Sequence, residues 1–123
     1  MFEALVLLSL LMLKHIVGDF FLQSDFILEN RHRYGHLGGV IHVGIHALGT
    51  AIVISLISPI VFASLIVILI AEAVVHYHID WAKDNLVNRM GYGVDDKGYW
   101  WLLGVDQYLH HLTYVVIVWY LLG

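Results

Sequence analysis

Histidine and aspartate residues occur in pairs spaced four positions apart, one pair in each of four apolar stretches of the chain. The pairs are His15 and Asp19, His42 and His46, His76 and Asp80, and Asp106 and His110. Because four residues are about one helical turn, both side chains of a pair lie on the same helix face. Imidazole and carboxylate groups are costly to bury in hydrocarbon without compensation, so a shared metal site is our first hypothesis.

The level of these residues along their helices supports a shared site. Measured from the expected cytoplasmic helix ends at 1.5 Å per residue, five of them lie roughly 9 to 15 Å deep: Asp19, His46, His76, Asp106 and His110. His15 lies a little deeper and Asp80 is shallower. The opposite half of the bundle, including 51–57 and 115–118, is almost entirely apolar, so we expect access from the cytoplasm.

Histidine and carboxylate ligands without sulfur suit a divalent metal, zinc, manganese or iron, and the richness in histidine favours zinc. The predicted ligands are His15, Asp19, His46, His76, Asp80, Asp106 and His110. They exceed the needs of one tetrahedral ion, which predicts either two ions or one ion whose ligands are oriented by the remaining residues. Asp80 or Glu72 is the predicted general base, and His42 can serve either as a ligand or as a gate.

Two further groups of polar residues lie close to this level. Lys14 must reach the interface or pair with a carboxylate, because a lone ammonium is costly inside a membrane. Gln23 and Gln107 can hydrogen-bond to the ligating carboxylates, although plain contacts between helices would explain them as well.

The composition is that of a membrane protein. Of 123 residues, 60% are hydrophobic and 13% are charged, and the mean hydropathy is +0.81. This leaves too little polar surface to coat a soluble domain of this size. The absence of Cys excludes disulfides and thiolate ligands, so that any metal must be held by nitrogen and oxygen. A net charge of -4 with six Lys and Arg residues gives no basic surface for nucleic acid.

Four apolar segments follow from the hydropathy: 4–28, 38–58, 60–81 and 100–122. Each is close to the length of about 20 residues that crosses the hydrocarbon core of a bilayer. We therefore predict an all-α fold, an integral membrane four-helix transmembrane bundle with short loops, in a single domain over 1–123. The Ser58-Pro59 step predicts a tight turn, and the glycine-containing stretch 83–99 predicts the only sizeable loop.

Positive charges indicate the orientation of these segments. The first connection carries Arg31 and Arg33, and the third carries Lys83, Arg89 and Lys97. The remaining connection and both termini carry none. By the positive-inside rule both termini face away from the cytoplasm, and we expect the protein in the bacterial inner membrane.

Several motifs together resemble one known family. They are HIVGDFFLQ from His15 to Gln23, HYHIDWAK from His76 to Lys83, and DQYLH from Asp106 to His110. With His42 and His46, they resemble small membrane proteins of bacteria and their phages catalogued as domain of unknown function 3307, over nearly the whole chain. The resemblance implies no activity. It implies that the characteristic polar positions are His15, Asp19, Gln23, His46, His76, Asp80, Lys83, Asp106, Gln107 and His110.

Three classes of function fit these observations. The first is a membrane-embedded metal-dependent hydrolase that cleaves an ester, phosphoester or amide entering from the inner leaflet. The second is a carrier or channel for protons or divalent metal, which would need polar groups along the whole crossing. The third is a small structural or regulatory protein whose metal fastens the helices together. The lipid bilayer is the expected partner, and a homodimer is one arrangement that would seal so small a pocket from lipid.

Overall fold

The computed structural model describes residues 1–123 as helices and connecting turns, with no strands. Helix α1 spans Phe2–Ile16 and continues into a π-helical turn at Val17–Phe21. The other helices are α2 (Asp25–Asn30), α3 (Leu37–Ile57), α4 (Phe62–Met90) and α5 (Lys97–Leu122). The all-helical prediction is therefore confirmed.

Three stretches are long and apolar enough to cross a membrane, namely Phe2–Phe21, Leu37–Ile57 and Phe62–Met90. Their outward surfaces carry large exposed apolar side chains, such as Leu48 on α3 and Val67 on α4. Exposed apolar groups of this extent are costly in water and suited to lipid. These helices therefore support the prediction that the chain is a membrane protein.

The four long helices pack as a ring. Helix α1 contacts α3 and α5, and α4 contacts the same two neighbours. Each helix buries a stripe of residues spaced four apart, and the stripes face the common interior. The stripes are Leu7, Leu11, His15 and Asp19; His42, His46, Thr50 and Ile54; Ile68, Glu72, His76 and Asp80; and Asp106, His110, Tyr114 and Val118.

Every stripe is polar at one end and apolar at the other. The apolar ends form a cluster at the end of the ring that carries both termini, where Leu7 and Leu11 pack against residues of the other three helices. Its other members are Ile54, Ile68, Tyr114, Ile117 and Val118. Lipid is as apolar as these side chains, so in a membrane their packing and the polar contacts between helices hold the ring together. The polar ends meet at the end of the ring that carries α2.

The first helical segment differs from its prediction over 4–28. The helix ends at Phe21, and a new short helix begins at Asp25, capped by the Ser24 hydroxyl, which accepts a hydrogen bond from the Ile27 amide. Gly18 lets this stretch approach α3 closely, because a Cβ there would lie 2.6 Å from the His46 ring. The π-helical turn contains Asp19, and its hydrogen bonds join residues five apart instead of the four apart of an α-helix. The apolar pattern alone shows neither feature.

The predicted loop over 83–99 is wrong for most of its length. Helix α4 continues past the predicted end at Trp81 to Met90, and α5 begins at Lys97 instead of Trp100. The residues after Trp81 contain no helix breaker before Gly91, which ends α4 in the left-handed conformation at φ 69°. The turn that remains is 91–96. The predicted turn at Ser58-Pro59 is present between α3 and α4.

Candidate metal centre

The polar ends of the four stripes bring together all seven predicted ligands. Each of these side chains, and also His42, is at most 6% exposed. The residues come from α1 and its π-helical turn, α3, α4 and α5. Helices remote in sequence thus contribute charged and imidazole groups to one buried site.

One part of the site joins the π-helical turn, α3 and α4. Asp19, His42, His46 and His76 each offer one ligand atom, and these four atoms lie within 4.8 Å of one another. Asp19 Oδ1 is 2.9 Å from His46 Nε2 and 3.2 Å from His42 Nε2, and the Nε2 atoms of His42 and His76 are 3.3 Å apart. Neighbouring ligands of a tetrahedral zinc ion, with bonds near 2.0 Å, are about 3.3 Å apart. His76 Nε2 is farther from Asp19 Oδ1, at 4.0 Å, and the spacing of the four atoms could hold a metal ion.

The second part of the site continues this cluster towards α5. Asp80 Oδ2 is 3.1 Å from the Nε2 atoms of both His42 and His76, and Asp80 Oδ1 is 3.0 Å from His110 Nε2. His110 Nε2 is in turn 3.6 Å from Asp106 Oδ1. Two more sets of ligand atoms meet the same spacing: His76, Asp80 and His110, and Asp19, Asp106 and His110. The overlapping sets leave room for one ion or for two adjacent ions.

Several buried polar atoms of the site have no hydrogen-bond partner. They are Nδ1 of His42 and His46, Oδ2 of Asp80 and Oδ1 of Asp106. Asp80 Oδ2 has two imidazole nitrogens close by, yet none is aligned as a hydrogen-bond donor to it. Buried carboxylate oxygens without donors are costly, and a cation among them would remove that cost.

His15 and Gln107 lie behind the carboxylates. The Tyr114 hydroxyl is 2.7 Å from His15 Nδ1, while His15 Nε2 is 2.9 Å from Gln107 Oε1 and 3.0 Å from Asp19 Oδ2. The Gln107 amide donates to Asp19 Oδ2 at 2.9 Å and to Asp106 Oδ2 at 3.0 Å. His15 belongs to none of the three sets of converging ligand atoms. Gln107 therefore hydrogen-bonds to the carboxylates of Asp19 and Asp106, which is one of its two expected roles. His15, which the spacing predicts as a ligand, contacts Asp19, Gln107 and Tyr114.

Glu72 is one helical turn from His76 on the same buried stripe, on the side away from Asp80. Its Oε1 atom is 2.5 Å from Lys14 Nζ, which also donates to the His46 carbonyl and lies 4.6 Å from the centre of the Tyr114 ring. Glu72 belongs to none of the three ligand sets. Of the two predicted bases, Asp80 is therefore within the cluster and Glu72 is beneath it. The pair with Glu72 supplies the carboxylate that Lys14 requires.

A cavity of about 260 Å³ reaches the site from the α2 end. Asp19, Asp106 and Gln107 line its inner part, and Arg31 and Lys83 are also in its wall. A second cavity, of about 190 Å³, shares Arg31 and Lys83 and continues towards the surface. The carboxylates of Asp19 and Asp106 are therefore the part of the cluster that meets the cavity.

Arg31 fixes the wall of this cavity. Its Nε and Nη2 atoms donate to the two carboxylate oxygens of Asp84, and its Nη1 atom donates to Gln23. Burial disfavours the charged guanidinium, but the negative charges of Asp80 and Asp84 raise the pKa of Arg31 above its ordinary value. Arg31 is therefore a permanent cation beside the site.

The folded chain adds two residues to those predicted from the sequence, Tyr114 and Asp84, and places His42 among the converging ligand atoms. A sequence signal exists for the two new residues. Tyr114 follows His110 by four residues and Asp84 follows Asp80 by four residues, so both continue the stripes of polar residues along α5 and α4. The pairing of Asp84 with Arg31, by contrast, depends on how α2 and α4 pack, which spacing does not reveal.

Comparison with known proteins identifies one family. The family model described as Protein of unknown function (DUF3307) matches residues 7–123. No curated protein and no solved structure matches the chain significantly. The matched range contains every residue of the cluster.

Proposed function

We propose that this chain, which belongs to the DUF3307 family of proteins of unknown function, is an integral membrane metal-dependent hydrolase. The observation that carries the proposal is the convergence of buried imidazole and carboxylate atoms from separate helices, among which Asp80 Oδ2 and Asp106 Oδ1 have no hydrogen-bond partner. A divalent cation among these atoms would satisfy both carboxylate oxygens. The expected ion is zinc, because the first four ligand atoms include three imidazole nitrogens and no sulfur.

The proposed membrane arrangement has four spans, with α5 as the fourth. Its 26 residues reach about 39 Å at 1.5 Å per residue, enough to cross a bilayer. Exposed aromatic residues stand at both ends, with Trp100 and Trp101 at one and Trp119 and Tyr120 at the other. Such residues favour the two interfaces of a membrane. The distribution of Lys and Arg supports an inner-membrane protein whose α2 end faces the cytoplasm.

The proposed chemistry assigns a role to each part of the cluster. A bound divalent ion polarises the scissile group and activates water near neutral pH. Asp19, His42, His46 and His76 hold the ion, and His15 and Gln107 fix the orientation of the carboxylates. Asp80 accepts the proton of the attacking water, since its carboxylate joins the two parts of the site, with Oδ2 beside His42 and His76 and Oδ1 beside His110. His110, between Asp80 and Asp106, can return the proton to the leaving group.

Two features favour a hydrolase over the other functions. The apolar cluster around Leu7, Leu11 and Ile54 closes the ring on the side of the termini, whereas a carrier needs a polar path across the whole membrane. A structural metal is normally enclosed by its ligands, whereas here a cavity reaches Asp19 and Asp106. The arrangement fits a site that is open to a substrate from one side.

The first experiment measures metal and turnover on the same protein. The wild type is purified in detergent, loaded with zinc, and analysed for bound metal and for hydrolysis of ester, phosphoester and amide substrates. We expect one or two zinc ions per chain and loss of both metal and turnover in His76→Ala. His78→Ala is the matched control, because His78 is an exposed histidine of the same helix and should leave the metal content unchanged.

Two results would overturn the proposal. One is equal metal content in the wild type and His76→Ala, which would mean that the cluster does not hold the ion. The other is movement of zinc or protons into liposomes by the reconstituted protein without hydrolysis of any substrate. That result would favour the carrier.

A further inference from the structure

A lipid-facing groove between α4 and α5 leads to the proposed metal centre. The groove has a volume of about 570 Å³, and eight of its eleven lining residues are hydrophobic. Val75 on α4 and Val105 and Leu109 on α5 form part of its walls and are exposed. Lys83 and Asp106 also line it, and both belong to the cavity that reaches the cluster. One continuous surface therefore changes from apolar to polar at Lys83 and Asp106.

The polar side of this boundary carries an excess of positive charge. Arg31 and Lys83 share a single carboxylate, that of Asp84. Asp84 accepts hydrogen bonds from Nε and Nη2 of Arg31, and Asp84 Oδ1 is 2.7 Å from Lys83 Nζ. Two cations against one carboxylate leave a net charge of about +1 at this wall of the cavity. The carboxylates of Asp19, Asp80 and Asp106 nearby carry three negative charges, which two of the proposed ions would neutralise completely, whereas one ion would leave a single negative charge. A wall with this excess of positive charge favours an anionic group such as phosphate, which both Arg and Lys bind.

We infer that the substrate is a phospholipid whose acyl chain lies in the α4–α5 groove and whose phosphate lies between Arg31, Lys83 and the metal centre. A lipid is the one class of molecule that presents a long apolar chain and an anionic head to this surface together. It also reaches the groove directly from the bilayer. The inference rests on the proposed hydrolase and adds its substrate class.

The reaction is the hydrolysis of a lipid phosphoester. The oxygen of water forms a bond to phosphorus, and the bond from phosphorus to the alcohol oxygen breaks. The proton that Asp80 removes from water passes to that alcohol oxygen. No oxidant, reductant or second substrate is needed.

The test compares three probes with the zinc-loaded protein in detergent micelles. Dioleoyl phosphatidic acid has the head and the chains, glycerol 3-phosphate has only the head, and dioleoylglycerol has only the chains and carboxyl esters. Binding is measured with radiolabelled probes, and phosphate release is measured separately. We expect phosphatidic acid to bind at least about 100-fold more tightly than either of the other two, and to release phosphate.

Three pairs of variants test the two halves of the surface. Lys83→Met should weaken binding of phosphatidic acid by about tenfold or more, because a charge-assisted contact is lost. Lys97→Met removes an exposed lysine at the start of α5 and should have no effect. Val105→Trp should obstruct the groove and weaken binding similarly, whereas Leu112→Trp, on an exposed part of α5 outside it, should not. Arg31→Gln with Arg33→Gln as its control repeats the test at a more buried position.

The outcomes separate this inference from the proposed function. Equal binding of glycerol 3-phosphate and phosphatidic acid would contradict the lipid, and equal binding of dioleoylglycerol would contradict the phosphate. Release of fatty acid from phosphatidic acid without release of phosphate would overturn the phosphoester reaction while leaving the metal hydrolase intact. Absence of bound zinc would instead overturn the proposed function itself.

Discussion

Replacement of Gly18 by alanine tests the metal centre through a single methyl group. An alanine Cβ at this position would lie 2.6 Å from Cε1 and Nε2 of His46. The imidazole would have to retreat by about 0.8 Å to reach the 3.4 Å of an ordinary contact. Metal–nitrogen distances tolerate only about 0.2 Å, so the ring would leave the coordination shell. Helix α1 could move instead, but Asp19, the next residue, would then be displaced from the same ion.

We expect Gly18→Ala to weaken zinc binding by about 100-fold or more, since altered outer contacts alone commonly cost 10- to 100-fold in metal affinity. Zinc affinity is measured by competition with a chelator in detergent, together with the thermal unfolding of the metal-free protein. The matched control is Gly44→Ala, because a Cβ on that α3 glycine meets no atom within 4 Å. Gly44→Ala should bind zinc like the wild type. An affinity of Gly18→Ala within twofold of the wild type, with an intact fold, would refute the reasoning.

The contacts around the cluster support three further predictions. Glu72→Gln should destabilise the protein by about 3 to 5 kcal/mol, because Lys14 is then buried without its charged partner. The double variant Glu72→Gln with Lys14→Met should recover much of this stability. Unfolding in denaturant measures the stability of both variants. Gln107→Leu should lower zinc affinity by about 10- to 100-fold in chelator competition, because Asp19 and Asp106 lose their shared donor, and an unchanged affinity would contradict that role. Removal of metal with a chelator should lower the free energy of unfolding by about 2.7 kcal/mol relative to protein in free zinc at about 100 times the Kd. A thermal unfolding midpoint that does not depend on zinc would argue against zinc binding to the folded state.

Much of the site is predictable because its residues are chemically unusual for their surroundings. His76 and Asp80, for example, are polar groups one turn apart in an apolar segment, and such groups need partners inside the protein. Their depth along each helix follows from the rise per residue, without knowledge of the packing. The same spacing continues as a buried stripe through Ile68 and Glu72, so the predicted face of α4 is the one that packs inward.

The features that the sequence does not reveal depend on packing between distant segments. His15 shares its face with Asp19, yet it contacts Tyr114 and Gln107 and lies outside the three sets of converging ligand atoms, which spacing alone does not reveal. The helix face of Glu72 predicts a base, but its depth puts it beside Lys14. The full length of α4 is not predicted, because the glycines after Met90 indicate a longer loop than the chain forms.

Zinc X-ray absorption spectroscopy on the purified, zinc-loaded protein is the most direct test of the central claim that separate helices hold one ion-binding cluster. The spectrum should fit nitrogen and oxygen ligands near 2.0 to 2.1 Å, with the outer-shell scattering of at least two imidazoles. That scattering should diminish in His76→Ala and remain in His78→Ala. A spectrum of hydrated zinc without imidazole scattering in the wild type would contradict the account.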